Sequence, residues 1–268
     1  MAIKASRVQS PSSINTYKQC PRKYYYQYIA KLPTKQNIHT IRGSIVHSVL
    51  EDFFDHDIDT EGISGDKLLL KAIKLFEDHW EKKKDDLDSL GLDGSTLQYY
   101  YDDSKTMVIR WVSYILSRLN SMEEELPEAF NKLKPIREQR YKSEELSVMG
   151  FIDAIEEVDG KVRLIDYKTS KADKMTDEYK LQLGIYALLY KEKHDVYPDE
   201  VGLFLLKHGE RMLAVTDELV RNAKFEIENI HMSTQSRDMR DYPKKPGPLC
   251  NFCDFYHLCF PKSDENKR

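Results

Sequence analysis

Gly150-Phe151-Ile152-Asp153-Ala154-Ile155-Glu156-Glu157-Val158 reads as a strand, Asp159-Gly160 as a turn, and Lys161-Val162-Arg163-Leu164-Ile165-Asp166-Tyr167-Lys168 as the returning strand. Asp-Gly between alternating apolar residues is a strong short-range signal for a two-residue β-hairpin. With Asp159 and Gly160 as the turn, Val158 faces Lys161 and Asp153 falls opposite Asp166. Side chains alternate faces along a strand, so Lys168 shares the face of Asp166. Carboxylates facing each other with Cβ atoms about 5 Å apart repel. A chain that keeps such a pair commonly places a cation between them.

Hard carboxylate oxygens suit Mg²⁺ or Mn²⁺. Such an ion polarises a phosphate and acidifies a water molecule, and a neighbouring lysine stabilises developing negative charge. The Tyr167 carbonyl, between Asp166 and Lys168, is a further candidate oxygen ligand. An isolated D-x-K would be read as a surface ion pair. The opposed Asp153 and the apolar alternation of both strands turn the reading toward a metal site.

Working outward, residues 11–30 read as a helix in two pieces, with Ser12 or Ser13 as a cap and Pro21 in the first turn of the second piece. Residues 40–57, 66–84 and 96–125 have helical spacing, and 85–95 reads as a loop. A strand is expected at 136–142, a helix at 177–193, strands at 201–207 and 211–215, and a helix at 216–235. Residues 236–249 form a polar, proline-bearing link. This order predicts an α/β core with an N-terminal helical addition. The expected division is a helical part at 1–134, an α/β catalytic core at 135–235 and a cysteine-bearing segment at 236–268, all within one domain.

The 268 residues carry a formal net charge of -4, 40% hydrophobic and 32% charged residues, and a mean hydropathy of -0.63. No run approaches the roughly 18 apolar residues of a membrane span. The start lacks the apolar core of a signal peptide, so the expectation is a cytoplasmic protein without a membrane partner. The overall charge does not announce a nucleic-acid binder, but Arg22 and Lys23, the lysines at 168, 171 and 174, and Lys244 and Lys245 form local basic patches.

The cysteines are Cys20, Cys250, Cys253 and Cys259, the last three in C-x2-C-x5-C spacing. Four thiolates complete a shell for zinc or for an iron–sulfur cluster. Disulfides are the poorer reading for a reduced compartment. Ligation would clamp the two chain ends together. Tyr24, Tyr25, Tyr26 and Tyr28 flank Arg22 and Lys23, a mixture that either stacks on single-stranded bases or packs the cysteine region against the core.

The chain resembles the PD-(D/E)XK nuclease superfamily, and within it the RecB-like exonucleases and the related CRISPR-associated adaptation nucleases. The stretches that carry the resemblance are Gly43-Ser44-Ile45-Val46-His47, Gly150-Phe151-Ile152-Asp153, Asp166-Tyr167-Lys168-Thr169 and Gln182-Leu183-Gly184-Ile185-Tyr186. Phe151-Ile152 stands where the superfamily's name puts a proline, an absence common among RecB-like members. The resemblance implies a restriction-endonuclease-like core, a mixed sheet flanked by helices. It implies that His47, Asp153 and Asp166 bind the divalent metal, that Lys168 is catalytic, and that Gln182 and Tyr186 line the site. It further implies a 4Fe–4S cluster on the four cysteines. Glu51, one helical turn from His47, is a candidate to orient its ring. Glu138, on the strand before the hairpin, is a further inward-pointing candidate.

The function so implied is metal-dependent hydrolysis of single-stranded DNA or DNA ends, with 5′-to-3′ action favoured, among partners in CRISPR adaptation or DNA repair. Two other readings stay open. One is a DNA-end-binding adaptor with little activity alone. The other is an RNA nuclease.

Overall fold

Asp159 and Gly160 both take positive φ, 52° and 73°, as a type I′ hairpin turn requires. The strands they join are β2 (Val148–Val158) and β3 (Lys161–Lys168), in the expected register from Val158↔Lys161 to Ala154↔Ile165. The computed structural model describes residues 5–55, 64–171 and 173–261. Around the hairpin lies a five-stranded sheet in the order β1-β2-β3-β4-β5, with β1 (Ile136–Ser143), β4 (Glu200–Leu205) and β5 (Gly209–Ala214). Among the described strands of this sheet, β3 and β4 form the one parallel pair. That pair needs a crossover, supplied by a helix at Asp177–His194. The result is a mixed sheet flanked by helices, the expected α/β class.

Before the sheet come α1 (Pro11–Gln19), α2 (Pro21–Tyr24), α3 (Ile38–Asp52), α4 (Gly65–Lys82), α5 (Lys84–Asp88), α6 (Gly94–Asn120) and α7 (Leu126–Leu133). The crossover helix is α8, and α9 (Asp217–Ser233) and α10 (Tyr256–Cys259) follow the sheet. Each sheet face has its own core. Ile165, Tyr167 and Phe204 pack under α3, α4 and α6 with Trp111 and Phe53. Val148, Ile152 and Leu164 pack under α8 and α9 with Leu189 and Ile227.

Several boundaries differ from expectation. Residues 85–95 are not wholly loop, because Lys84–Asp88 forms a helical turn with acidic residues at its N-terminal end. The cap of α1 is Ser10, not Ser12 or Ser13, since Pro11 occupies the first helical position and Ser13 completes a capping box with Ser10. The helix expected to reach residue 57 ends at Asp52, and 57 lies outside the described residues. Among the described residues, no helix is long and apolar enough to cross a membrane.

Candidate active site

The ladder is interrupted where the chemistry is placed. Arg137 pairs with Ala154 and Gln139 with Ile152, but Glu138 and Asp153 between them are unpaired. Glu138 has φ 46°, a left-handed conformation uncommon for a residue with a side chain. Ile152 and Ile155 both join the core under α8, whereas Ala154 faces the other core. The period-two alternation therefore slips by one residue at Asp153. Such irregularities recur near active sites, where they re-aim a side chain.

Asp153 does not simply face Asp166 across the hairpin. Its Oδ2 accepts a 2.7 Å hydrogen bond from the Tyr167 amide. The same oxygen lies 3.5 Å from His47 Nδ1, delivered by α3. His47, Glu138 and Asp153 offer ligand atoms all within 4.8 Å of one another. With Glu51 and Tyr167 they line a pocket with room for one water-sized centre, about 10 Å³.

Asp166, 3% exposed, forms the second half of the site. Its Oδ1 accepts from Gln182 Nε2 at 2.7 Å and from the Tyr186 hydroxyl at 3.3 Å. Gln182 also accepts from Lys168 Nζ at 3.0 Å and donates to the Tyr186 hydroxyl at 2.8 Å. Gln182 and Tyr186 are one turn apart on α8, so a single helix face supplies both. Lys168 Nζ is 2.5 Å from Asp166 Oδ2. The ammonium therefore supplies this buried oxygen with its counter-charge.

The electrostatics favour a cation. Burial, and then the charge of Asp166, push the Asp153 carboxyl well above the ordinary aspartate value, with the Tyr167 amide opposing. Burial lowers the His47 pKa against the pull of Asp166, leaving a neutral ring whose lone pair can coordinate. Burial pulls Lys168 down, but Asp166 pulls it up further, so its ammonium stays charged at neutral pH. Burial and the carboxylate of Glu51 raise Glu138. The carboxylates of Glu138 and Asp153 and the neutral imidazole of His47 form a donor set that fits Mg²⁺ or Mn²⁺, with Asp166 beside them on Lys168.

Of the side chains expected to hold the metal, His47 and Asp153 gather with Glu138 into one donor group, whereas Asp166 lies outside that group, paired with Lys168. Glu51 departs from its expected role: His47 turns toward Asp153 and the Tyr167 backbone, while Glu51 only lines the same pocket. Arg42 escaped the sequence reading. It donates to Asp103 Oδ2 at 2.7 Å and to the Thr169 carbonyl at 3.1 Å, tying the residue after Lys168 to the helix that carries His47. Gly150 is needed for space, since a Cβ there would lie 2.9 Å from Tyr186 Cε1.

The four cysteines line one cavity of about 160 Å³, with Tyr26, Phe255, Tyr256 and Phe260 among its walls. All four are free thiols. Cys20 lies between α1 and α2, and the Gly247 amide donates to Cys250 Sγ at 3.4 Å. Burial raises the Cys259 thiol pKa, and neighbouring Cys20 and Cys253 push it the same way against Lys244. Four thiols on one chamber are the donor type that thiolate-ligated metals take, but among the described residues no three of these sulfurs lie within 4.8 Å of one another. The tyrosines before it are packed. Tyr24 is fully buried and takes a 2.8 Å hydrogen bond from Gln9, Tyr25 lies against Tyr242, and Tyr26 against Phe255. The packing alternative therefore holds for these rings.

Comparison with known proteins agrees with this geometry. Residues 9–260 match the PD-(D/E)XK nuclease superfamily, so the chain belongs to that superfamily. It is similar to the gene 69 protein of Mycobacterium phage L5, 28% identical over 121 residues, which is 42% of this chain and 40% of that relative. The chain thus matches less than half the length of that relative. A solved structure from Eubacterium rectale, provisionally named an exonuclease, superposes with a TM-score of 0.50 at 10% identity, covering 92% of this chain and 87% of the other. At that identity the likeness concerns the fold alone.

Proposed function

We propose that this nuclease is a divalent-metal-dependent deoxyribonuclease that works on single strands or DNA ends, with 5′-to-3′ action favoured. The observation that carries the reading is the meeting of two sets. His47, Glu138 and Asp153 gather on one side, and Asp166, Lys168, Gln182 and Tyr186 are hydrogen-bonded or ion-paired on the other. A divalent cation held by His47, Asp153, Asp166 and Glu138, with the Tyr167 carbonyl, would supply Lewis acidity toward a phosphodiester and acidify the attacking water.

The protein's own groups do the rest. Lys168, kept charged by Asp166, places its ammonium where negative charge grows on the phosphate. Gln182 bridges Lys168 and Asp166 and holds both in position. Tyr186, whose hydroxyl burial and Asp166 keep protonated, donates to Asp166 and fixes its orientation. Asp153 anchors the Tyr167 amide, keeping the end of β3 beside the site.

The sequence resemblance to RecB-like exonucleases and CRISPR-associated adaptation nucleases supports end-directed action and partners in CRISPR adaptation or DNA repair. The thiol chamber and C-x2-C-x5-C spacing support a 4Fe–4S cluster on Cys20, Cys250, Cys253 and Cys259, which would join the chain ends. The test is anaerobically purified protein incubated with end-labelled single-stranded DNA, with and without Mn²⁺, alongside a visible spectrum. Mn²⁺-dependent shortening from the 5′ end and a broad band near 400 nm, expected for thiolate-bound iron–sulfur, are the predicted results. A colourless zinc protein overturns the cluster assignment, and no cleavage overturns the enzyme.

A further inference from the structure

β2 outruns β3. Its pairing with β3 ends at Ala154, so Val148–Ile152 is paired with β1 on one side and not with β3 on the other. Gln9 bridges to Val148 at that edge. An open groove of about 460 Å³ results, bounded by the start of α1, by α8, and by Met149, Phe151, Asp153 and Asp166 of the hairpin. One end of the groove is thus the proposed catalytic centre. Phe151 lines it and is 48% exposed. Arg140 is its partner across β1 and β2. Directly opposed residues share a face, with Cβ atoms about 5 Å apart. Arg140 is exposed and, among the described residues, has no hydrogen bond, ion pair or ring partner.

A large apolar ring left half in water beside two catalytic carboxylates contributes little to the core. Next to it stands a guanidinium with no internal task. Stacking on an aromatic face is tolerant of base identity, and a free guanidinium suits a phosphate. Within a duplex both faces of an interior base are covered by its neighbours, so an unpaired base is the one such a ring reaches along a strand.

We propose that Phe151 and Arg140 form a nucleotide subsite next to the scissile phosphate, Phe151 stacking on an unpaired base and Arg140 pairing with its phosphate. This rests on the nuclease reading above and narrows it, since the subsite selects single-stranded over paired substrate. Phe151 acts on substrate binding, not on the bond being broken.

The test uses the full chain, a short fluorescein-labelled oligothymidylate, and a strand of equal length carrying abasic sites. Cleavage with Mn²⁺ and binding by anisotropy are both read. Phe151→Ala should raise KM for the intact strand about tenfold, with kcat held within about twofold, and Phe151→Trp should restore it. On the abasic strand, Phe151→Ala should add no further loss. Arg140→Gln should weaken binding of both strands and flatten the salt slope by about 0.7. An intact-strand KM that Phe151→Ala does not move overturns the subsite, as does an equal loss on the abasic strand. If the parent protein cleaves neither strand, the nuclease reading fails. Anisotropy then still decides the subsite: Phe151-dependent preference for the intact strand supports it, and equal binding of the two strands overturns it.

Discussion

The catalytic cleft and the cysteine chamber both join segments distant in sequence, but by different means. In the cleft, side chains partner one another: Lys168, Gln182, Asp166 and Tyr186 form a continuous network, and Arg42 ties Thr169 to α3. Its neighbours are two layers of buried hydrophobic side chains. The chamber is made of short helical turns at Pro248–Phe252 and Tyr256–Cys259, with Phe252 left 86% exposed. Tyr26 packs on Phe255 in its wall, and its four thiols are free. A polar network that satisfies itself is rigid before any ligand binds, whereas under the proposed ligation so small a segment would draw its rigidity from what its thiols hold.

Removing the charge at the centre of the network has the largest expected effect. Lys168→Ala should reduce kcat by about 10³-fold while circular dichroism still reports the parent's fold. Activity within tenfold of the parent would remove Lys168 from the chemistry. Cys253→Ser attacks the other region. On the proposed thiolate ligation it should release the metal held there, lower the melting temperature by roughly 10 °C and open both chain ends to protease, with cleavage at low temperature falling far less than for Lys168→Ala. Equal losses of activity in the two variants would erase the contrast drawn between the regions.

Gly150→Ala tests the rigidity of the cleft. The added methyl would meet Tyr186 Cε1 at 2.9 Å, displacing the ring that orients Asp166. A fall in kcat of about 10- to 100-fold with a smaller change in KM is expected. An unchanged kcat would show that Tyr186 moves freely. The smallest effect concerns protons. The Asp153 pKa is raised in the fold, chiefly by burial, so the unfolded chain loses this proton first as pH rises. Metal-free protein should therefore lose stability between the ordinary aspartate pKa and the raised one. A cation must also displace that proton. The rise in melting temperature on adding Mn²⁺ after chelation should thus grow with pH by a few degrees, as differential scanning fluorimetry can read. A rise independent of pH would place the cation away from Asp153.

The hairpin was legible because Asp159-Gly160 dictates a turn whose register places Asp153 and Asp166 at the same end, and the i, i+4 spacing of Gln182 and Tyr186 placed both on one face. Pro11 offered the signal for Ser10 as the cap of α1, and the expectation passed over it. Glu138 is different. Its left-handed backbone inside a strand has no local sequence signature, and it is this distortion with the unpaired Asp153 that brings Glu138 to His47. The Arg42–Asp103–Lys207 cluster joins residues 61 and 104 positions apart, a contact that only the folded chain defines. The tyrosine run was ambiguous because consecutive residues on a helix point in several directions, and the partners that decide it, Gln9, Tyr242 and Phe255, are remote.

The most direct test of a preorganised, metal-loaded hydrolytic cleft is a time course of cleavage of end-labelled single-stranded DNA by the metal-free protein, to which Mn²⁺ is then added, beside Asp166→Asn under the same conditions. The account predicts no cleavage before addition, prompt cleavage after it, and none at any time with Asp166→Asn. Cleavage without the metal, or by Asp166→Asn at the parent's rate, would contradict it.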